Sequence, residues 1–171
     1  MKESDFKEML DILIYATEKE NVEIIKALLK DFDNFTKDQK GYILHVLSKN
    51  LTDTNYEVIS KLIFEYFTTD FSDEYGNLLH YACYGKSLKM VKELVEKGLD
   101  IDQPNFFGNT PFLVACKNSS TTVLRYLVEK GIDIFTKNHE GENALHNAVK
   151  GSNIENLTYL LSLGLDIEAR D

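Results

Sequence analysis

The sequence lacks long apolar runs, has few basic residues and contains only two cysteines. No stretch approaches the roughly 18 consecutive apolar residues that a membrane-spanning helix needs, and no apolar signal segment follows the first residues. We therefore expect a cytoplasmic protein without a membrane partner. The 19 Lys and Arg residues are outnumbered by 28 Asp and Glu, which gives a net charge of −9. Because nucleic acids bind through clustered positive charge, we expect no nucleic-acid partner and instead a neutral or basic protein.

What the sequence has in place of such signals is a repeat of 33 residues. Gly98-Leu99-Asp100-Ile101 recurs as Gly131-Ile132-Asp133-Ile134 and as Gly164-Leu165-Asp166-Ile167. Paired aliphatic residues recur over a longer stretch, at positions 28–29, 62–63, 94–95, 127–128 and 160–161. A fixed period of this length is typical of small units that bury their apolar faces only by stacking. We therefore predict one domain over residues 1–171 with five units, approximately residues 7–37, 38–72, 73–104, 105–137 and 138–171.

Each unit is predicted to contain two helices followed by a loop. Residue types that cap helices precede the second helix of each unit: Asn21, Asn55, Ser87, Ser120 and Asn153. Glycines that can close a helix in the left-handed conformation follow it in the last three units: Gly98, Gly131 and Gly164. Thr110 and Pro111 predict the start of a first helix, because proline is favoured at the first helical position. Loops with Asp or Asn three residues before Gly predict β-turns at residues 38–41, 73–76, 105–108 and 138–141.

Two segments carry a family resemblance. Gly108-Asn109-Thr110-Pro111-Phe112-Leu113-Val114-Ala115 and Gly141-Glu142-Asn143-Ala144-Leu145-His146-Asn147-Ala148 resemble the G-x-T-P-L-H-x-A signature of ankyrin repeats. Residues 73–171 match well and residues 7–72 more weakly, since the second unit has Leu47 in place of the alanine and Tyr66 in place of the helix-ending glycine. The resemblance implies an all-α repeat solenoid of L-shaped helix-turn-helix units with β-hairpin-like finger loops. It also implies a protein partner, held along the finger tips and the concave inner-helix face.

The histidines and cysteines occupy repeat positions rather than clusters. Histidine recurs once per unit at His45, His80 and His146, where the resemblance implies a hydrogen bond that ties the loop to the helix. Because these side chains do not converge, we expect no enzyme, no metal, no cofactor and no small-molecule substrate. Cys83 and Cys116 fall in adjacent units, whose helix axes lie about 8–10 Å apart, beyond the roughly 7 Å limit for disulfide Cα atoms. We predict two reduced, buried thiols; a reactive Cys116 beside Lys117 is the alternative.

The resemblance places a protein-binding surface on three finger tips and on the inner helices. The predicted finger residues are Glu74, Tyr75, Asn77, Phe106, Phe107, Asn109, His139, Glu140 and Glu142, and the inner-helix residues are Tyr84, Lys117, Asn118 and Lys150. Exposed aromatic residues often anchor interfaces, so Tyr75, Phe106 and Phe107 carry this prediction. The alternative is that these rings pack on the neighbouring finger. Phe135, which lies farther from a tip, is included among the predicted binding residues.

Three functional interpretations are open from the sequence. The first is a monomeric, non-enzymatic interaction scaffold. The second is an acidic inhibitor or immunity protein that neutralises a basic enzyme or toxin, and the third is a regulatory ankyrin domain of a larger protein. Residues 167–171 suggest the third, because they begin a further finger. Either the polar helix pair of the fifth unit caps the stack, or the chain is part of a longer array.

Overall fold

The computed structural model describes residues 3–166, and helices dominate it. The first helices of the five pairs are α1 (Glu3–Glu18), α3 (Lys37–Lys49), α5 (Leu78–Tyr84), α7 (Pro111–Asn118) and α9 (Ala144–Lys150). The second helices are α2 (Val22–Leu28), α4 (Tyr56–Tyr66), α6 (Leu88–Glu96), α8 (Thr121–Glu129) and α10 (Ile154–Ser162). A 3-10 turn at Phe32–Asn34 joins α2 to α3, and β1 (Ser72–Asp73) pairs with β2 (Gly76–Asn77) in an antiparallel hairpin before α5. The finger predicted to begin at residues 167–171 lies outside the described residues.

The helices form two layers that run along the stack. In the inner layer α1, α3, α5, α7 and α9 each pack against the next, and α4, α6, α8 and α10 do the same in the outer layer. The core between the layers is continuous and includes fully buried side chains from every pair, among them Leu13, Leu44, Leu79, Phe112 and Leu160. The prediction of an all-α repeat solenoid is confirmed. In the part of the chain that the structure describes, no helix has the length and apolar character to span a bilayer.

The residues predicted as helix caps each directly precede an outer helix. The side chains of Asn21, Ser87 and Asn153 accept a hydrogen bond from the N–H three residues later, at 3.1, 3.4 and 3.0 Å. Asn55 and Ser120 occupy the same position without this bond. Asn55 Oδ1 instead accepts from the N–H of Thr52 at 2.7 Å and so fixes the turn before the helix. All five predicted cap residues therefore occupy the position directly before an outer helix, but the capping hydrogen bond forms in three of the five units.

The predicted helix-ending glycines and the predicted start of α7 are also confirmed. Gly98, Gly131 and Gly164 follow outer helices with φ of +86°, +84° and +84°, a region that glycine enters without the steric cost of a Cβ. Thr110 begins α7, where its hydroxyl accepts from the Leu113 N–H at 3.4 Å. These boundaries fix where each outer helix stops and where the next finger starts.

The finger predicted at residues 38–41 is wrong, because this segment belongs to α3. Thr36 begins that helix with a capping box: its hydroxyl accepts from the Gln39 N–H at 3.2 Å, and Gln39 Oε1 accepts from the Thr36 N–H at 3.0 Å. Two otherwise free N–H groups are satisfied in this way, which outweighs the turn tendency of Asp38 and Gly41. Gly41 lies against the Asp73 carboxylate, which would have to shift to make room for a Cβ.

The other three predicted turns form, and hydrogen bonds join them to one another. In each turn a side-chain oxygen accepts from the N–H two residues later at 2.9–3.0 Å: Asp73, Asn105 and Asn138. Between turns, the Phe106 N–H donates to the Glu74 carbonyl at 3.2 Å, and the His139 N–H donates to the Phe107 carbonyl at 3.1 Å. The three fingers, residues 73–77, 105–109 and 138–142, therefore form one connected surface, called the finger ridge below.

Candidate functional site

A groove of about 740 Å³ lies between the finger ridge and the inner helices α3, α5, α7 and α9. Twelve of the predicted binding residues line it: Glu74, Tyr75, Phe106, Phe107, Asn109, His139, Glu140 and Glu142 from the fingers, and Tyr84, Lys117, Asn118 and Lys150 from the helices. The repeat brings these residues together because the third, fourth and fifth units each contribute one finger and one inner helix. The groove is thus a surface that several units share.

Three aromatic rings form the rim of the groove on the finger side. Tyr75 and Phe107 have ring centroids 5.8 Å apart, and Phe106 and Phe107 have centroids 5.5 Å apart in an edge-on arrangement. The side chains nevertheless remain 48%, 41% and 72% exposed for Tyr75, Phe107 and Phe106. The rings therefore pack on the neighbouring finger and also present a contiguous apolar surface to solvent. Such a surface, called the aromatic rim below, is what interface anchors require before a partner arrives.

The groove is also lined by four residues of α3 that the predicted binding surface did not include, Gly41 and the larger side chains of Asp38, Tyr42 and His45. The spacing of Asp38, Tyr42 and His45 places these three side chains on one face of the helix. Tyr42 is 53% exposed, and the His45 ring lies 4.3 Å from the Tyr84 ring between centroids. Burial, together with repulsion from Lys49, lowers the pKa of His45. The sequence analysis missed this face because it assigned residues 38–41 to a turn. The capping box of Thr36 and Gln39 is the sequence signal that identifies the segment as the start of a helix.

Charge is distributed unevenly along the groove. At its α9 end, Lys150 forms an ion pair with Glu142 and lies 3.8 Å from Glu140, and the hydrogen bond from Lys150 lowers the pKa of Glu142. At its α3 end, Asp38 and Glu74 have no Lys or Arg nitrogen within 4 Å anywhere in residues 3–166. The α3 end therefore carries negative charge that the described residues do not neutralise.

His80 holds the groove wall in place by linking two units. Its Nε2–H donates to the Asn109 carbonyl, 3.0 Å away in the next finger, and its Nδ1 accepts from the Asn77 N–H at 3.3 Å. A carbonyl can only accept, so Nε2 carries a proton, and the low pKa of the ring keeps it neutral. Burial lowers the pKa of His80 to about 4. The loop-to-helix hydrogen bond predicted for the histidine column therefore exists at His80.

The other two histidines of the column behave differently. His146 Nδ1 lies 2.8 Å from Asn143 Oδ1, so this ring caps the start of its own helix α9. His45 stands in the middle of α3 and stacks on Tyr84 rather than bonding to a loop. The predicted loop contact is wrong for His45, because the segment before it is helical and offers no finger to hold.

Two of the predicted binding residues lie outside the groove. Asn77 is 7% exposed and caps α5, since its Oδ1 accepts from the N–H groups of Leu79 and His80 at 3.0 and 3.3 Å. The prediction that Asn77 lies at a finger tip is therefore wrong, and the residue lies at the buried base of that finger. Phe135 is 68% exposed in the loop after α8, away from the residues that line the groove.

The residues considered for chemistry have structural environments. Cys83 and Cys116 are free thiols with no exposed surface, and burial raises the pKa of both. Asp100 and Asp133 accept from the N–H two residues later at 2.9 Å, as turn residues do. Across residues 3–166, His, Cys, Asp and Glu side chains form no group of three or more that could hold a metal ion.

Comparison with known proteins gives one result. A family model described as ankyrin repeats in three copies matches residues 13–105 and again residues 79–171. The two matches overlap and together cover both the weakly and the strongly repetitive halves of the sequence. A search of curated proteins finds no match.

Proposed function

The chain belongs to the ankyrin-repeat family, and on that premise we propose that it is a non-enzymatic scaffold that holds a basic, extended segment of a partner protein in the groove. Ankyrin repeats are protein-interaction modules and are typically not enzymes. The observation that carries the proposal is the aromatic rim, which is exposed and directly faces the inner helices. Because hydrogen bonds join its fingers, the ridge should lose little conformational freedom on binding, which favours affinity.

The shape of the groove suits an extended segment. It crosses four inner helices and three fingers, so an occupant contacts side chains from several units in succession. The aromatic rim supplies apolar anchoring, while Lys117 and Asn118 on the opposite wall supply polar contacts. A partner segment with alternating apolar and polar side chains satisfies both walls.

The charge of the groove supports a basic partner. Asp38 and Glu74 stand beside Tyr42 and Tyr75, so a Lys or Arg at the α3 end would meet both carboxylates and aromatic faces. Cations bind favourably over such rings, and Arg can also form paired hydrogen bonds with a carboxylate. The net charge of −9 would attract the same partner over a longer range.

Peptide selection tests this proposal directly. Random peptides displayed on phage are selected on the immobilised wild-type protein, and the enriched peptides are then titrated against the wild type and the F106A/F107A variant. We expect the enriched sequences to share Arg or Lys next to apolar residues and to bind the wild type more tightly. Enriched peptides with no shared chemistry, or with equal affinity for both proteins, would contradict the proposal.

A second candidate is an acidic inhibitor of a basic enzyme, and the uncompensated carboxylates favour it. The two functions differ in kinetics. An inhibitor steered by charge associates rapidly, and its association rate falls steeply with salt. Binding that the aromatic rim dominates depends weakly on salt. Stopped-flow association of the selected peptide over a range of NaCl concentrations separates them.

A further inference from the structure

Seven charged residues line the groove besides its histidines, and four of them already have partners within the protein. Asp73 accepts from two N–H groups of its own turn at 2.9 and 3.1 Å and from the Tyr81 hydroxyl at 2.6 Å. Lys150 forms an ion pair with Glu142 and lies 3.8 Å from Glu140. These four charges are therefore occupied before a partner binds.

The other three charged residues, Asp38, Glu74 and Lys117, form no ion pair with any residue between 3 and 166. All three side chains are exposed. Asp38 lies in the first turn of α3, Glu74 in the first finger and Lys117 in the last turn of α7. The open charge of the groove is thus negative at the α3 end and positive at α7.

Aromatic rings accompany the two open carboxylates. Burial raises the pKa of Tyr75, and the Glu74 carboxylate and the Tyr42 hydroxyl raise it further, so these groups lie near one another. Asp38 is one turn before Tyr42 on the same face of α3. A guanidinium can stack on such rings while it forms paired hydrogen bonds with a carboxylate, whereas an ammonium is a compact point charge. The α3 end therefore suits an arginine side chain better than a lysine.

The helix α5 separates the two oppositely charged regions, since it packs against both α3 and α7. The axes of packed helices lie about 8–10 Å apart, so α3 and α7 are about 16–20 Å apart. An extended segment advances about 3.3 Å per residue and covers this distance in about five or six residues. The spacing of the two regions therefore sets a spacing for charges along the partner.

We propose that the partner segment presents an arginine to Asp38 and Glu74 and, about five or six residues away, an Asp or Glu to Lys117. The inference rests on the proposed function, because the occupant is the same extended segment, and it adds the order of the charges on that segment. Apolar side chains between the two charges contact the aromatic rim. A uniformly basic segment would place a positive charge against Lys117, and like-charge contacts of this kind reject wrong partners. The groove thus selects a segment of mixed charge over a polybasic one.

Peptide selection on charge-reversed variants tests this order. A phage library of peptides with one fixed Arg and random residues elsewhere is selected in parallel on immobilised wild type, K117E and K61E. Lys61 is exposed in α4 and does not line the groove, so K61E is the matched control for the change in net charge. Because Lys61 and Lys117 are both exposed, the melting temperature of each variant should stay close to that of the wild type.

The wild type and K61E should enrich Asp or Glu about five or six positions from the Arg, and K117E should enrich Lys or Arg there. A peptide from the wild-type selection should bind K117E about tenfold more weakly. Replacing the acidic residue of that peptide with Lys should weaken binding to the wild type and restore binding to K117E. Reciprocal rescue of this kind cannot arise from a misfolded variant.

The other outcomes separate this inference from the proposed function. Peptides that lose affinity for F106A/F107A, but share no acidic position and bind K117E as tightly as the wild type, would overturn the inference and leave the proposed function standing. Peptides that keep the charge order but bind F106A/F107A unchanged would support the inference and contradict the role of the aromatic rim. Replacing the fixed Arg with Lys should weaken binding to the wild type; equal affinity would contradict the assignment of the α3 end to arginine.

Discussion

His80 donates a hydrogen bond from Nε2 to the Asn109 carbonyl, 29 residues further along the chain and 3.0 Å away. The bond crosses from α5 to the next finger, so a buried imidazole fixes the position of one wall of the groove. Because burial lowers the pKa of His80 from 6.5 to about 4, the folded protein resists protonation that the unfolded chain accepts.

Stability should therefore fall as the pH decreases through this window. Above pH 6.5 the ring is neutral in both states and the full stability is present. Between pH 6.5 and about 4 the unfolded state binds a proton that the folded state does not, which costs roughly 3 kcal/mol in total. Urea unfolding at a series of pH values measures the slope of the free energy of unfolding against pH. The His80→Gln variant should have a smaller slope. Part of the slope should persist through His45, whose pKa is also lowered. Equal slopes in both proteins would contradict this assignment.

Removing the aromatic rim should weaken binding without affecting the fold. F106A/F107A is expected to lose on the order of 2 kcal/mol, or about 30-fold, in affinity for a selected basic peptide. Its melting temperature should barely change, because both rings are exposed. Phe135→Ala is the matched control, since Phe135 is 68% exposed but lies outside the groove. Isothermal titration and thermal melting separate the two effects; lower melting with unchanged affinity would show that the rings serve packing alone.

Replacing Gly131 should destabilise the stack through backbone strain alone. The residue has φ of +84°, and a Cβ placed there would meet no atom within 4 Å. Gly131→Val is therefore expected to cost roughly 1–3 kcal/mol from the left-handed conformation. Gly131→Asn should cost less, because asparagine tolerates this region. Denaturant unfolding of the two variants gives the comparison, and a valine variant as stable as the wild type would mean that the helix ends elsewhere.

Changing Asn156 to aspartate should lower the free energy of unfolding strongly, although the two side chains are nearly the same size. The side chain is fully buried, and its amide donates to the Cys116 and Ser119 carbonyls. Asn156→Asp would direct a carboxylate at these oxygens and should cost roughly 3 kcal/mol or more. Asn118→Asp is the control, because Asn118 is half-buried and donates to the Val114 carbonyl of its own helix. Chemical denaturation should show a small loss for the control; similar losses would indicate that the inter-unit bonds contribute little.

The sequence predicted those parts of the fold that local chemistry determines. The left-handed glycines, the start of α7 at Thr110 and the three Asx turns all depend on a few neighbouring residues, and all are present. The segment 38–41 was mispredicted because two local signals competed there, and the capping box of Thr36 prevailed. Asn77 was placed at a tip because a repeat column gives a residue's position along the chain but not its depth. Depth depends on which neighbouring unit covers the side chain, and that requires coordinates.

Cys83 and Cys116 can serve as chemical probes of how readily the stack opens locally. Only a thiolate reacts with an alkylating reagent, and both thiols are enclosed between adjacent units. Each can therefore be labelled only while the stack is open at its position, so the labelling rate measures the free energy of that opening. Equal rates at the two cysteines would mean that the third and fourth units separate from their neighbours as one cooperative body, whereas unequal rates would locate the weaker junction.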